Sequence, residues 1–82
     1  MTREELKRQL ALIDSTLAFI SADIWRIQNH YDVYNDDNLI KIEEEMNAVM
    51  SNLALQAKNA QLLVKNIVKL RQSIEKENNK HD

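Results

Sequence analysis

Apolar residues in the first third of the chain fall at alternating steps of four and three: Leu6, Leu10, Ile13, Leu17, Ile20, Ile24 and Ile27, then Tyr31 and Tyr34. Such steps keep one stripe of an α-helix apolar and make a coiled-coil seam. In heptad letters, Leu10, Leu17 and Ile24 take position a, while Leu6, Ile13, Ile20 and Ile27 take position d. Thr2-Arg3-Glu4-Glu5 reads as a capping box. The Thr2 hydroxyl would accept from the Glu5 amide and the Glu5 carboxylate from the Thr2 amide. The pattern predicts a helix over about residues 3–32.

A second seam runs Leu39, Ile42, Met46, Val49, Leu53, Gln56, Ala60, Leu63, Ile67, Leu70 and Ile74, with Gln56 its one polar member, at d. It predicts a helix over about 38–77, followed by a polar, frayed tail at 78–82. Lys69, Arg71 and Lys76 near its end suit the helix dipole. Between the seams, Asn35-Asp36-Asp37-Asn38 is the turn signal, placing an acidic turn at about 33–38. Asn and Asp tolerate left-handed backbone angles and cap helices well, so they are expected to replace glycine here. Glu43, Glu44 and Glu45 would then sit near the start of the second helix, where its dipole favours negative charge.

The fold class that follows is all-α: one domain over 1–82, an antiparallel hairpin of two long helices. The second helix would be the longer, so Ile67, Leu70 and Ile74 are expected to project past the first and remain uncovered. The alternative is a three-helix bundle, with the second helix broken near Ser51-Asn52 or Lys58-Asn59. Composition favours the hairpin, because the 82 residues contain no glycine and no proline, the residues that most often turn or kink a chain.

A hairpin covers only one stripe on each helix, and more than one is apolar. Leu12 and Phe19 at c, Ala11, Ala18 and Trp25 at b, and Leu55 and Leu62 at c of the second helix lie away from the a/d seam. Between Met46 and Val64 the only charged residue is Lys58. A helix apolar nearly all round is covered from more than one side. The pattern therefore predicts self-association, a two-fold dimer closing a four-helix bundle, with a different protein partner as the alternative. The candidate interface is Leu12, Phe19, Trp25, Leu55, Leu62, Ile67, Leu70 and Ile74. Gln56 is the candidate register residue, since one buried polar side chain can fix alignment and oligomer state. Trp25, Tyr31 and Tyr34 gather at the hinge end, and Asn38, Asn52, Asn59, Asn66 and Ser73 make a polar line at g.

Chemistry is sparse. Without cysteine there are neither disulfides nor thiolate metal sites. Asp32 to Glu43 has the length of a calcium-binding EF-hand loop, with Asp32, Asp36 and Glu43 at ligand positions, but Tyr34 and Asp37 stand where a ligand and the glycine belong. His30 and His81 lack partners at metal-ligand spacing, and Glu43–Glu45 point three ways around a helix. No glycine frames a phosphate or a nucleophile. The expectation is a non-enzymatic chain with no catalytic residue, metal or cofactor. Trp25-Arg26-Ile27 lacks the glycine of the WXG-type hairpin proteins, so no function carries over from them.

The formal charge of −2 is unevenly spread: residues 1–31 balance, 32–45 are strongly acidic and 46–82 are net basic. Lys58, Lys65, Lys69 and Arg71 offer a basic face, so a nucleic-acid-binding bundle is the alternative function, although the chain as a whole is acidic. No apolar run approaches the about 18 residues that span a bilayer, and Met1 to Glu5 does not read as a signal peptide. The expected location is the cytoplasm. The function expected is a protein–protein interaction module, an adaptor, regulator or inhibitor, of a size that suits a bacterial or phage accessory protein.

Overall fold

The computed structural model describes residues 1–80 and shows two helices packed as an antiparallel hairpin. Helix α1 spans Arg3–His30 and α2 spans Leu39–Lys80, with a 3-10 turn over Asp36–Asn38 between them. The seams give the reason: each is apolar at helical spacing and neither contains a breaker. The Thr2 hydroxyl accepts from the Glu5 amide at 3.1 Å, and the Thr2 carbonyl from the Leu6 amide at 3.0 Å. The reciprocal bond from the Thr2 amide to the Glu5 carboxylate is absent, so only half of the expected capping box forms.

The hinge turns differently from expectation. No residue adopts a positive φ among those described, so no left-handed Asn or Asp takes the place of glycine. Tyr31 instead leaves α1 in an extended conformation, φ −111° and ψ 134°, after its amide bonds to the Ile27 carbonyl. Short polar side chains then hold the bend. Asp32 Oδ1 accepts from the Tyr34 amide at 2.9 Å, and Asn35 Oδ1 from the Asp37 amide at 3.0 Å. Asn38 Nδ2 reaches back to the Asp32 carbonyl at 3.1 Å. The first two are Asx turns, in which a side chain supplies the acceptor the backbone would otherwise need; in the third the side chain donates.

Helix α2 runs unbroken for 42 residues, which removes the three-helix alternative. Its Asn and Ser residues favour other conformations only weakly, and Ser51 donates to the Asn47 carbonyl one turn back, at 3.1 Å. It also continues through residues 78–80, so the tail expected to fray is helical there; His81 and Asp82 lie outside the described residues. The helices measure about 42 and 63 Å at 1.5 Å per residue. The molecule is a rod of 70 × 16 × 13 Å. Its radius of gyration is 19.7 Å, against about 12 Å for a compact domain of this length.

The core is thin. Among the described residues only Ile20, Ile27, Val49 and Leu63 are buried, and all four occupy d. The rest of the d line, Leu6, Ile13, Ile42, Gln56 and Leu70, is half-buried. Half-buried Thr16, Asp23, Asn38, Glu45 and Asn66 show that the contact leans toward the polar g line. The a line is left largely open: Leu10, Leu17, Met46 and Leu53 are each at least 40% exposed.

Candidate interaction surfaces

At the hinge end one carboxylate ties the helices together. Glu45 Oε1 on α2 accepts from the Tyr31 hydroxyl at 3.1 Å and from Arg26 Nη1 at 3.4 Å. The second oxygen, Oε2, is buried and has no hydrogen-bond partner among the described residues. The hydrogen bond to Glu45 raises the Tyr31 phenol above its ordinary pKa, and partial burial and the Glu45 charge push the same way. Arg26 pulls it back. Glu45 is therefore not part of a solvated first turn. The acids at the start of the helical segment are Asp36 and Asp37, and the first turn of α2 has none. Arg26 at c and Glu45 at g, level across an antiparallel seam, were a signal readable in the sequence.

Two faces flank the seam. Reversing a helix mirrors the order of its positions, so in an antiparallel pair the a and e lines of both helices share one side. The d, g and c lines lean to the other. The a/e side carries exposed Leu10 and Leu17 from α1 and Met46, Met50, Leu53 and Val64 from α2. Within it, the segment from Met46 to Ala57 contains no charged residue.

The opposite side is mixed. A shallow groove of about 270 Å³ runs along it, lined by Gln9, Thr16, Gln56 and Asn59 with Leu12, Ile13 and Leu62. Leu12 and Leu62, both in the expected interface, meet there; Phe19 and Leu55 lie on the same c lines and are exposed. Trp25, at b, stands on the other side, 66% exposed, and is not brought to them. Gln56 sits half-buried in the seam at the groove, with no hydrogen bond to another side chain among the described residues.

The pairing of Arg26 with Glu45 sets the start of α1 level with about residue 68 of α2, at equal rise on the two strands. Ile67 is thus level with the end of α1 rather than beyond it, and 37% exposed. Leu70 and Ile74, expected to be bare, are half-buried. The open a line, read from sequence as seam, is the surface that expectation missed.

Charge is polarised along the rod. The hinge end, residues 23–45, holds Arg26 and Lys41 against Asp23, Asp32, Asp36, Asp37 and Glu43–Glu45, a net −5. The open end, residues 3–10 with 58–77, holds eight cations against Glu4, Glu5, Glu75 and Glu77, a net +4. The expected basic face is divided: Lys58 and Lys65 share position f with Lys69 nearby at c, while Arg71 at e points toward the apolar side. Arg71 pairs with Glu75 at 3.8 Å, both about two-thirds exposed.

The chain matches no protein family, no curated protein and no solved structure.

Among the described residues no group of three or more His, Cys, Asp or Glu is placed to hold a metal ion. In the segment compared with an EF-hand loop, Asp32 and Asn35 accept backbone amides, and Leu39 to Glu43 are helix. No described helix is long and apolar enough to cross a membrane.

Proposed function

We propose that this chain is a non-enzymatic protein–protein interaction module that works as a self-associated helical bundle. One observation carries the reading: the hairpin exposes far more surface than a chain of its mass can leave uncovered as a compact monomer. Its accessible area is 7003 Å² for 9.6 kDa, against about 5,100 Å² for a compact monomer. The surplus of about 1,900 Å² is concentrated on a rod whose a line is open on both helices. Covering one Leu or Met contributes about 1.5–3 kcal/mol, so a handful rivals the whole stability of a small domain.

Sedimentation equilibrium at low micromolar concentration tests this. The expected mass is a multiple of 9.6 kDa, with the dimer first. A monodisperse monomer would overturn self-association. In the assembled state the c lines, Leu12, Phe19, Leu55 and Leu62, remain outward and are the surface offered to another protein in an adaptor, regulator or inhibitor role.

The basic open end favours a second reading, nucleic-acid binding through Lys58, Lys65 and Lys69. Retention on heparin at moderate salt, lost in the Lys58→Glu/Lys65→Glu variant, would move the proposal there.

A further inference from the structure

We infer that two copies pair side by side and antiparallel through the a/e face, the acidic hinge end of each lying against the basic open end of the other. This rests on the self-association reading and adds to it a face, a direction and a register.

The face follows from symmetry and area. A two-fold contact is self-complementary, so the patch must work against itself. The a/e side qualifies through its a lines, apolar from Leu10 to Ile24 on α1 and from Leu39 to Ile74 on α2, and through the uncharged stretch Met46–Ala57. The e line of α1 is polar, and its Asp14, exposed and level with Ala57, is the charge the contact has to leave at its wet edge. If each chain buries its surplus of about 1,900 Å², the contact removes about 3,800 Å² in total, within the range of obligate dimers. The groove side is a poorer candidate, since its floor of Gln9, Thr16, Gln56 and Asn59 would have to give up water.

Direction follows from charge. Side-by-side parallel rods would put −5 beside −5 and +4 beside +4. Antiparallel rods put each acidic end beside a basic one, and the two-fold axis repeats that match at both ends. The same axis stacks α2 on α2 and α1 on α1, so all neighbouring helices run antiparallel, as in an up-down bundle.

Register follows from the positions on α2. Antiparallel a lines align Leu39 with Ile74 of the second copy, Met46 with Ile67 and Leu53 with Ala60, a large residue facing a small one in the central layer. The flanking e line then sets Glu43 against Arg71, Met50 against Val64, and Ala57 against itself at the axis. Sliding by one heptad sets Arg71 against Met50 in one direction, or Glu43 against Val64 in the other. Among the described residues Arg71 is held only by the long, exposed contact to Glu75, a pair too weak to hold it back.

The chain contains no cysteine, so Glu43→Cys and Arg71→Cys each introduce a single thiol, at exposed positions whose helicity is checked by circular dichroism. The two variants are mixed in equal amounts and treated with a short bismaleimide, and the wild-type mass is measured by sedimentation alongside. The expected result is a dimer in which the 43–71 product exceeds either like-with-like product several-fold, and in which added salt weakens association. A dimer dominated by 43–43 and 71–71 products would overturn the direction while leaving self-association in place. A dimer with none of these products would overturn the face. A wild-type monomer would overturn the reading beneath all three.

Discussion

Tyr31 illustrates how much of the hinge depends on one side chain. Its hydroxyl donates to Glu45 Oε1, and its ring meets His30 edge-on at 5.1 Å. Because its folded pKa is raised, the unfolded chain loses the phenolic proton first. The stabilisation is therefore whole below the ordinary tyrosine pKa of about 10 and disappears as pH rises through the folded value. Tyr31→Phe is expected to melt lower than the wild type at neutral pH, with the two curves converging in strong alkali. Thermal melts across that range check it, and a constant gap would refute the linkage. Ile27 makes the complementary case in the core, being 6% exposed and packed with Ile20 and Val49. Ile27→Ala should cost about 2–4 kcal/mol in urea denaturation, a large loss for a core with so few buried members.

At the scale of elements, the seams were legible and their division was not. Ile20, Ile27, Val49 and Leu63 stood at predicted core positions, and the helices and the turn between them follow from spacing alone. Leu10, Leu17, Met46 and Leu53 look the same in sequence as the d residues. Only packing decides which line faces the partner helix, and the small polar g residues Thr16 and Asn66 let the pair lean their way. The turn was legible as a turn, but not the side-chain bonds that build it, because Asn and Asp serve left-handed corners and Asx turns equally well. Asn35→Ala removes the acceptor for the Asp37 amide and is expected to cost about 0.5–2 kcal/mol as a lost cap, read in the same denaturation assay. Asn35→Asp, which keeps the acceptor, should retain most of it. The groove residues Leu12 and Leu62 were legible as surplus apolar positions; that Trp25 belongs to the other side was not, since b and c flank the same outer surface of a helix.

For the whole molecule, the two faces make opposite predictions. Leu10→Glu with Val64→Glu places charge on the a/e side at residues already 52% and 59% exposed. The pair is expected to weaken association at least about tenfold, equivalent to about 1.4 kcal/mol, without loss of helicity. Leu12→Ser with Phe19→Ser, on the groove side, should leave the oligomer mass unchanged. Sedimentation of both double variants separates the faces, and the reverse result would transfer the interface to the groove. The function proposed for the hairpin depends on that outcome, because whichever face remains outward is the one a foreign protein meets.

The three buried residues that touch one another, Ile20, Ile27 and Val49, all lie in the hinge half with the Glu45 tie, whereas Leu63 is alone in the open half. The hairpin is thus built like a pair of tweezers, joined firmly at one end and lightly sprung at the other. In a single hairpin, parting the tips exposes little that is not already wet and leaves the pivot intact. At dilutions that separate the copies, amide hydrogens near residues 6–13 and 60–70 should accordingly exchange through local opening, and those flanking the hinge only when the whole rod comes apart.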